Sequence, residues 1–171
     1  DYAQTGNYAT GFYDVAFTSD NKVLFGQDGY GSSSAPLTLD LATGVFSRSN
    51  LPFTVYGSIS STDDHGKTLL SVTGISDAPL FIYTAGVGQT AYHGLYADGV
   101  YGYGNPVTAI AGNGAFVAQF SGNLYVYDGL LKFIQDVSKT HPELGPGVFG
   151  MDFSADGHHL YVVDATTDRI F

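Results

Sequence analysis

Cysteine is absent from all 171 residues, which excludes a disulfide framework, a thiolate metal site and a thiol nucleophile while leaving the redox compartment open. Basic side chains are scarce: six Lys and Arg stand against sixteen acids, for a net charge near −10 at pH 7. Such a balance repels phosphate backbones and anionic lipid, so nucleic acid is not an expected partner. Glutamate is nearly missing as well, since 15 of the 16 acids are Asp and Glu143 is the exception. A short carboxylate competes for nearby backbone amides, which disfavours helix interiors and suits turns, so the acids are expected in loops. No apolar run approaches the length of a membrane span, and residues 1–10 lack the basic and apolar regions of a signal peptide. A start at Asp1 without methionine reads as a processed end or a fragment, and together with the acidic, Tyr-rich and Thr/Ser-rich composition it makes secretion or a cell-surface location the expectation.

What is abundant points to short strands and tight turns: 23 Gly, 13 Tyr and 12 Phe. The chain also repeats itself. Tyr13–Phe25 and Gly150–Val162 align with Val15 on Met151, Phe17 on Phe153, Asp20 on Asp156 and Leu24 on Leu160. The offset from Val15 to Met151 is 136 residues, and a third of it is about 45, the period of a four-stranded unit. A second copy lies at Gly57–Leu70, with one extra turn residue, and a third around Val107–Ala118, where the large inward aromatic has become small. Each copy runs from an alternating strand through an Asp/Asn–Gly type turn to an apolar strand, a polar loop and a further strand. Asp20-Asn21, Asn113-Gly114 and Asp156-Gly157 can reverse the chain because Asn, Asp and Gly accept left-handed backbone angles. Third strands are expected at Leu37–Leu41, Leu80–Thr84, Asn123–Asp128 and Arg169–Phe171, and fourth strands near Val45–Arg48, Thr90–Tyr96 and Leu131–Gln135.

Residues 151–164, Met-Asp-Phe-Ser-Ala-Asp-Gly-His-His-Leu-Tyr-Val-Val-Asp, resemble the inner two strands of YVTN-type and WD-repeat-like β-propeller blades. Leu39-Asp-Leu-Ala-Thr-Gly44 resembles the D-x-x-T-G ending of a third strand in those families, whereas the Trp-Asp signature of true WD repeats is missing with tryptophan itself. The resemblance implies an all-β fold: a β-propeller with about four blades of four-stranded antiparallel sheet, the last incomplete, forming part of a larger or split propeller. Blades are expected at approximately 12–50, 56–98, 107–136 and 148–171, with residues 1–11 as a closing strand. An unpaired edge in the last blade is a template for another strand. Residues 2–10 could close a four-bladed ring, or a second polypeptide or further copies of the chain could complete the edge within a larger one.

Candidate sites weigh lightly against structural explanations. Histidines 65, 93, 141, 158 and 159 show no zinc spacing, and His158 and His159 point to opposite faces of a strand. Asp164 and Asp168, in the loop Asp-Ala-Thr-Thr-Asp-Arg, are the candidate calcium ligands, although two carboxylates fall short of a full oxygen shell. Turn aspartates such as Asp20, Asp63, Asp64 and Asp156 are accounted for by local hydrogen bonds. No Gly-x-Ser-x-Gly elbow or P-loop occurs, and Asp28–Pro36 reads as a flexible connection. Tyr92, His93, Tyr96, Tyr101 and Tyr103 gather rings among small residues and are the candidate binding residues, competing with a role in packing between blades. Lys139–Gly147 is the expected long interblade loop. The preferred function is a noncatalytic extracellular or cell-surface propeller making protein, glycan or self-assembly contacts, with no resident cofactor. The alternative is a portion of a propeller enzyme, a lactonase-like hydrolase or a dehydrogenase subunit, with its site in the central channel.

Overall fold

The computed structural model describes residues 9–29, 37–48, 59–71, 79–94 and 107–171. They form four separate antiparallel sheets, each built from strands in chain order. The first contains β1 (Ala9–Thr18), β2 (Lys22–Gly29), β3 (Leu37–Asp40) and β4 (Phe46–Arg48). The second contains β5 (Ile59–Ser61), β6 (Lys67–Ser71), β7 (Leu80–Thr84) and β8 (Gly88–His93). The third contains β9 (Val107–Ile110), β10 (Phe116–Phe120), β11 (Leu124–Asp128) and β12 (Phe133–Asp136). The fourth stops at three strands, β13 (Val148–Phe153), β14 (Leu160–Asp164) and β15 (Arg169–Ile170). A single turn of 3-10 helix at Val137–Lys139 leads out of β12. Among the described residues, no helix is long and apolar enough to cross a membrane.

The sheets are propeller blades, because their first strands β1, β5, β9 and β13 pack side by side in sequence order and the cores lie between sheets. Ala16 and Leu24 of blade one meet Ile59, Leu70 and Phe81 of blade two. Leu69, Leu80 and Ile82 on the other face of blade two meet Ile110, Val117, Tyr125 and Tyr127 of blade three. Ala118, Phe120 and Leu124 meet Val148 and Val162 of blade four. Period-two alternation is what makes this work, since each strand sends successive side chains to the blade before it and the blade after it. Among the described residues β13 makes no comparable packing against β1, so the blades form an arc.

The first hairpin of each blade uses one local device. Thr18, Thr62 and Ser154 each donate a hydroxyl hydrogen bond to the aspartate two residues on, at 2.6, 2.6 and 2.5 Å. In the third copy Asn113 takes the aspartate position and accepts from the Ala115 amide. A left-handed residue follows each time: Asn21 (φ 62), His65 (φ 55), Gly114 (φ 69) and Gly157 (φ 73). In blade two that residue is His65, not the adjacent Gly66. Neighbouring turns are tied together, the Ser19 amide donating to the His65 carbonyl and the Asp63 amide to the Gly112 carbonyl. Partial burial opposes the charge on Asp20, yet Lys22 and the Thr18 hydroxyl outweigh it and hold the carboxyl below its usual range. Asp64 and Asp156 are held low by the Thr62 and Ser154 hydroxyls, then by the Gly66 and His158 amides. The D-x-x-T-G segment is explained similarly: Asp40 accepts from the Ala42 and Thr43 amides and the Thr43 hydroxyl, and Gly44 turns the chain at φ 69.

Two details of the sequence alignment are corrected. Phe17 pairs with Val23 and Phe153 with Leu160, so Val23, not Leu24, is the counterpart of Leu160. The turn of blade one is one residue shorter, with Thr18 bonded to the Lys22 carbonyl where Ser154 bonds to that of His159. Residues 9–11, expected in a closing strand, instead belong to β1 and pair with β2; residues 1–8 lie outside the described residues.

Candidate functional site

A cleft lies between blades three and four among the described residues. It encloses roughly 490 Å³, within the range of small-molecule and peptide pockets. One wall is the face that blade three turns toward blade four: Phe116, Leu124, Val126, Gln135 and Val137. The other is Phe153, Gly157, Leu160, Val162 and Phe171, and the loop residues His141 and Leu144 close one side. Leu124 and Val162 form a buried floor, while Gln135, His141 and His158 are exposed on the rim. The His141 Nδ1 lies 2.9 Å from Glu143 Oε1, and that imidazole holds the Glu143 carboxyl below its usual range. An apolar floor with an amide and imidazoles at the rim suits apolar side chains carried on a polar backbone.

Beside the cleft runs the edge of blade four. Phe171 and Val162 exchange both backbone hydrogen bonds, at 3.0 and 3.1 Å. By the alternation of an antiparallel ladder, the N–H and C=O of Ile170 then point away from β14. No strand pairs with that edge among the described residues.

The sequence-derived candidates divide three ways. Tyr92 and His93 end β8, where Tyr92 packs on Phe81 with ring centroids 5.2 Å apart and His93 packs on buried Tyr127 of blade three at the same separation. Tyr96, Tyr101 and Tyr103 lie outside the described residues. Asp164 and Asp168 are separated by burial. Asp164 is almost wholly enclosed, and its Oδ2 accepts from the Gly145 amide at 2.7 Å while Oδ1 accepts from the Thr166 amide at 2.8 Å. Burial opposes its charge, but those amides and Thr167 outweigh it and hold the carboxyl below its usual range. Asp168 is exposed at φ 52. Among the described residues no group of three or more His, Asp or Glu converges as a metal site. Asp164 thus joins the two loops that the sequence treated separately, clamping residues 139–147 onto blade four.

The cleft itself was not read from the sequence, because its walls come from two repeats; the sequence signal beside it was the expected unpaired edge of an incomplete last blade.

No protein-family model matches the sequence, and no curated protein matches it. Solved structures do. The β-propeller domain of Cps50 (Swd1) from Myceliophteria thermophila aligns with 92% of this chain at 13% identity and a TM-score of 0.61. A protein of unknown function from Bacteroides thetaiotaomicron aligns with 96% at 11% identity and 0.64. Kuenenia stuttgartiensis hydrazine synthase aligns with 92% at 15% identity and 0.61. At these identities the likeness is one of fold, and the fold is that of a β-propeller. The chain spans 51%, 41% and 56% of the lengths of those three structures.

Proposed function

We propose that this propeller is a noncatalytic contact module, extracellular or at the cell surface, that holds an extended segment of another polypeptide or another copy along blade four. The observation carrying this reading is the juxtaposition of the β15 edge with the apolar cleft. An incoming strand gains main-chain hydrogen bonds from Ile170, and its alternate side chains enter the space between Val126 and Leu160. A glycan would find few polar partners on those walls, so polypeptide is favoured. The acidic, Tyr-rich composition fits the proposed location.

The test is hydrogen exchange and nondenaturing size measurement on natively purified protein. The expected result is a protected Ile170 amide and a particle heavier than the chain. Replacing Val126 by Arg should release the added mass while leaving the far-ultraviolet spectrum unchanged. A lone monomer whose Ile170 amide exchanges as fast as an exposed turn overturns the reading.

A further inference from the structure

The repeat supplies an internal control for each end of the arc. Counting back three residues from the hairpin-opening Thr18, Thr62, Ala111 and Ser154 gives Val15, Ile59, Thr108 and Met151 as equivalent positions on the first strands. Counting back one gives Phe17, Ser61, Ile110 and Phe153. In blades two to four these positions point at the preceding blade: Ile59 packs on Ala16, Ile110 packs on Leu69, and Met151 and Phe153 join the cluster of blade three. Ile59, Thr108 and Ile110 are 4%, 5% and 4% exposed, whereas Val15 is 50% exposed and Phe17 is 51% exposed with one ring contact, to His65.

The far end of the arc shows the complementary mismatch. Tyr161 pairs with Asp152 as Leu24 pairs with Ala16, Leu69 with Ser60 and Ala118 with Ala109. Those three partners are at most 3% exposed, and Tyr161 is 51% exposed. Ile170 occupies the register position of Leu80 and Leu124, which are 0% and 2% exposed, and is itself 71% exposed.

The two faces also differ in kind. Toward the next blade, first strands present small side chains, Ala16, Ser60 and Ala109; toward the preceding blade, they present larger ones such as Ile59, Ile110 and Phe153. At the first junction small meets large, Ala16 packing on Ile59. Val15 stands at the position of Ile59, Phe17 at that of Ile110 and Phe153, and Asp152 at that of Ala16, Ser60 and Ala109.

We propose that the Val15–Phe17 face and the Tyr161–Ile170 face are both interblade surfaces, and that the occupant of each is a further propeller blade of this repeat type. The blade on the first face presents small first-strand residues, and the blade on the second presents large ones. The length relation agrees, because this chain spans 51% of the Swd1 propeller domain, leaving room for about as many blades again. The inference rests on the repeat register and stands independently of any strand bound at β15.

The lack of cysteine makes the test direct, since any introduced thiol is the sole one. Val15→Cys, Tyr161→Cys and Val87→Cys are made separately in the natively produced protein, Val87 being 73% exposed in the β7–β8 turn. Maleimide labelling at positions 15 and 161 should be at least about tenfold slower than at position 87. A photoactivatable phenylalanine analogue at position 15 should cross-link to a strand bearing the small-residue pattern. Equal labelling at all three positions overturns the proposal, as does a cross-link into a helix or a segment without the repeat. A protected thiol in the Val15→Cys protein together with a freely exchanging Ile170 amide supports the blade contact and refutes the bound strand, so the two readings fail separately.

Discussion

At the scale of single residues, the chemistry is dominated by carboxylates holding backbone amides, and Asp164 is the most consequential of them. Its two oxygens satisfy the Gly145 and Thr166 amides from two different loops. Asparagine in its place keeps one acceptor but turns an N–H donor toward one of those donors, and an unsatisfied enclosed amide is costly. Asp164→Asn should therefore lower the thermal midpoint by several degrees even in excess chelator. A loss seen only when calcium is present in the wild-type sample would favour the calcium reading instead. Individual residues were legible where the reason for them was local. Asp20, Asp64 and Asp156 were expected in turns, and they sit there bonded to neighbours two residues away. Asp164 was singled out as a candidate calcium ligand, and its bond to the Gly145 amide was not legible, because that partner is nineteen residues distant. Nothing in a linear spacing distinguishes a carboxylate waiting for a cation from one already holding an amide.

At the scale of elements, strands were easy to place and their register was not. The third strands begin at or within one residue of expectation, because alternation and Gly-rich breaks are properties of contiguous sequence. Register depends on turn length, and one residue missing from the first hairpin shifted Leu24 against Leu160. The loop 139–147 shows how an element can depend on a residue with no side chain. A Cβ on Gly147 would lie 2.1 Å from Thr166 Oγ1 and 2.8 Å from the Thr166 backbone nitrogen, so the approach of loop to blade requires glycine. Gly147→Ala should cost about 1–3 kcal/mol, the usual range for overpacking where backbone must shift. Urea unfolding measures it, and exchange of the Ala165 amide, now bonded to the Gly147 carbonyl, should accelerate with it. An unchanged midpoint would mean that the loop does not seat on blade four as described.

At the scale of the whole molecule, the cores between blades explain why the architecture was legible while the cleft and the end faces were not. A repeat announces itself by self-similarity, but a surface between two repeats exists only once they are stacked. The acid-rich composition carries a further consequence at this scale. Asp20, Asp40, Asp64, Asp128, Asp156 and Asp164 all have carboxyls held below their usual range, each by amides, hydroxyls or Lys22 that engage it in the fold. An unfolded chain would titrate them near about 3.9. Since the folded state binds protons more weakly than the unfolded state, the linked stability is fully present above that pH and disappears as pH falls through the lowered folded values. Protonation also relieves the self-repulsion of a molecule carrying about ten net negative charges, which acts in the opposite direction. The specific bonds should win, because they are short and local while the repulsion is spread over the surface and screened by salt. The thermal midpoint at 0.15 M salt should accordingly hold level from pH 7 to about pH 5 and drop steeply below about pH 4. A midpoint that climbs steadily from pH 7 to pH 3 would show that repulsion, not the hydrogen-bonded aspartates, governs the acid response of this fold.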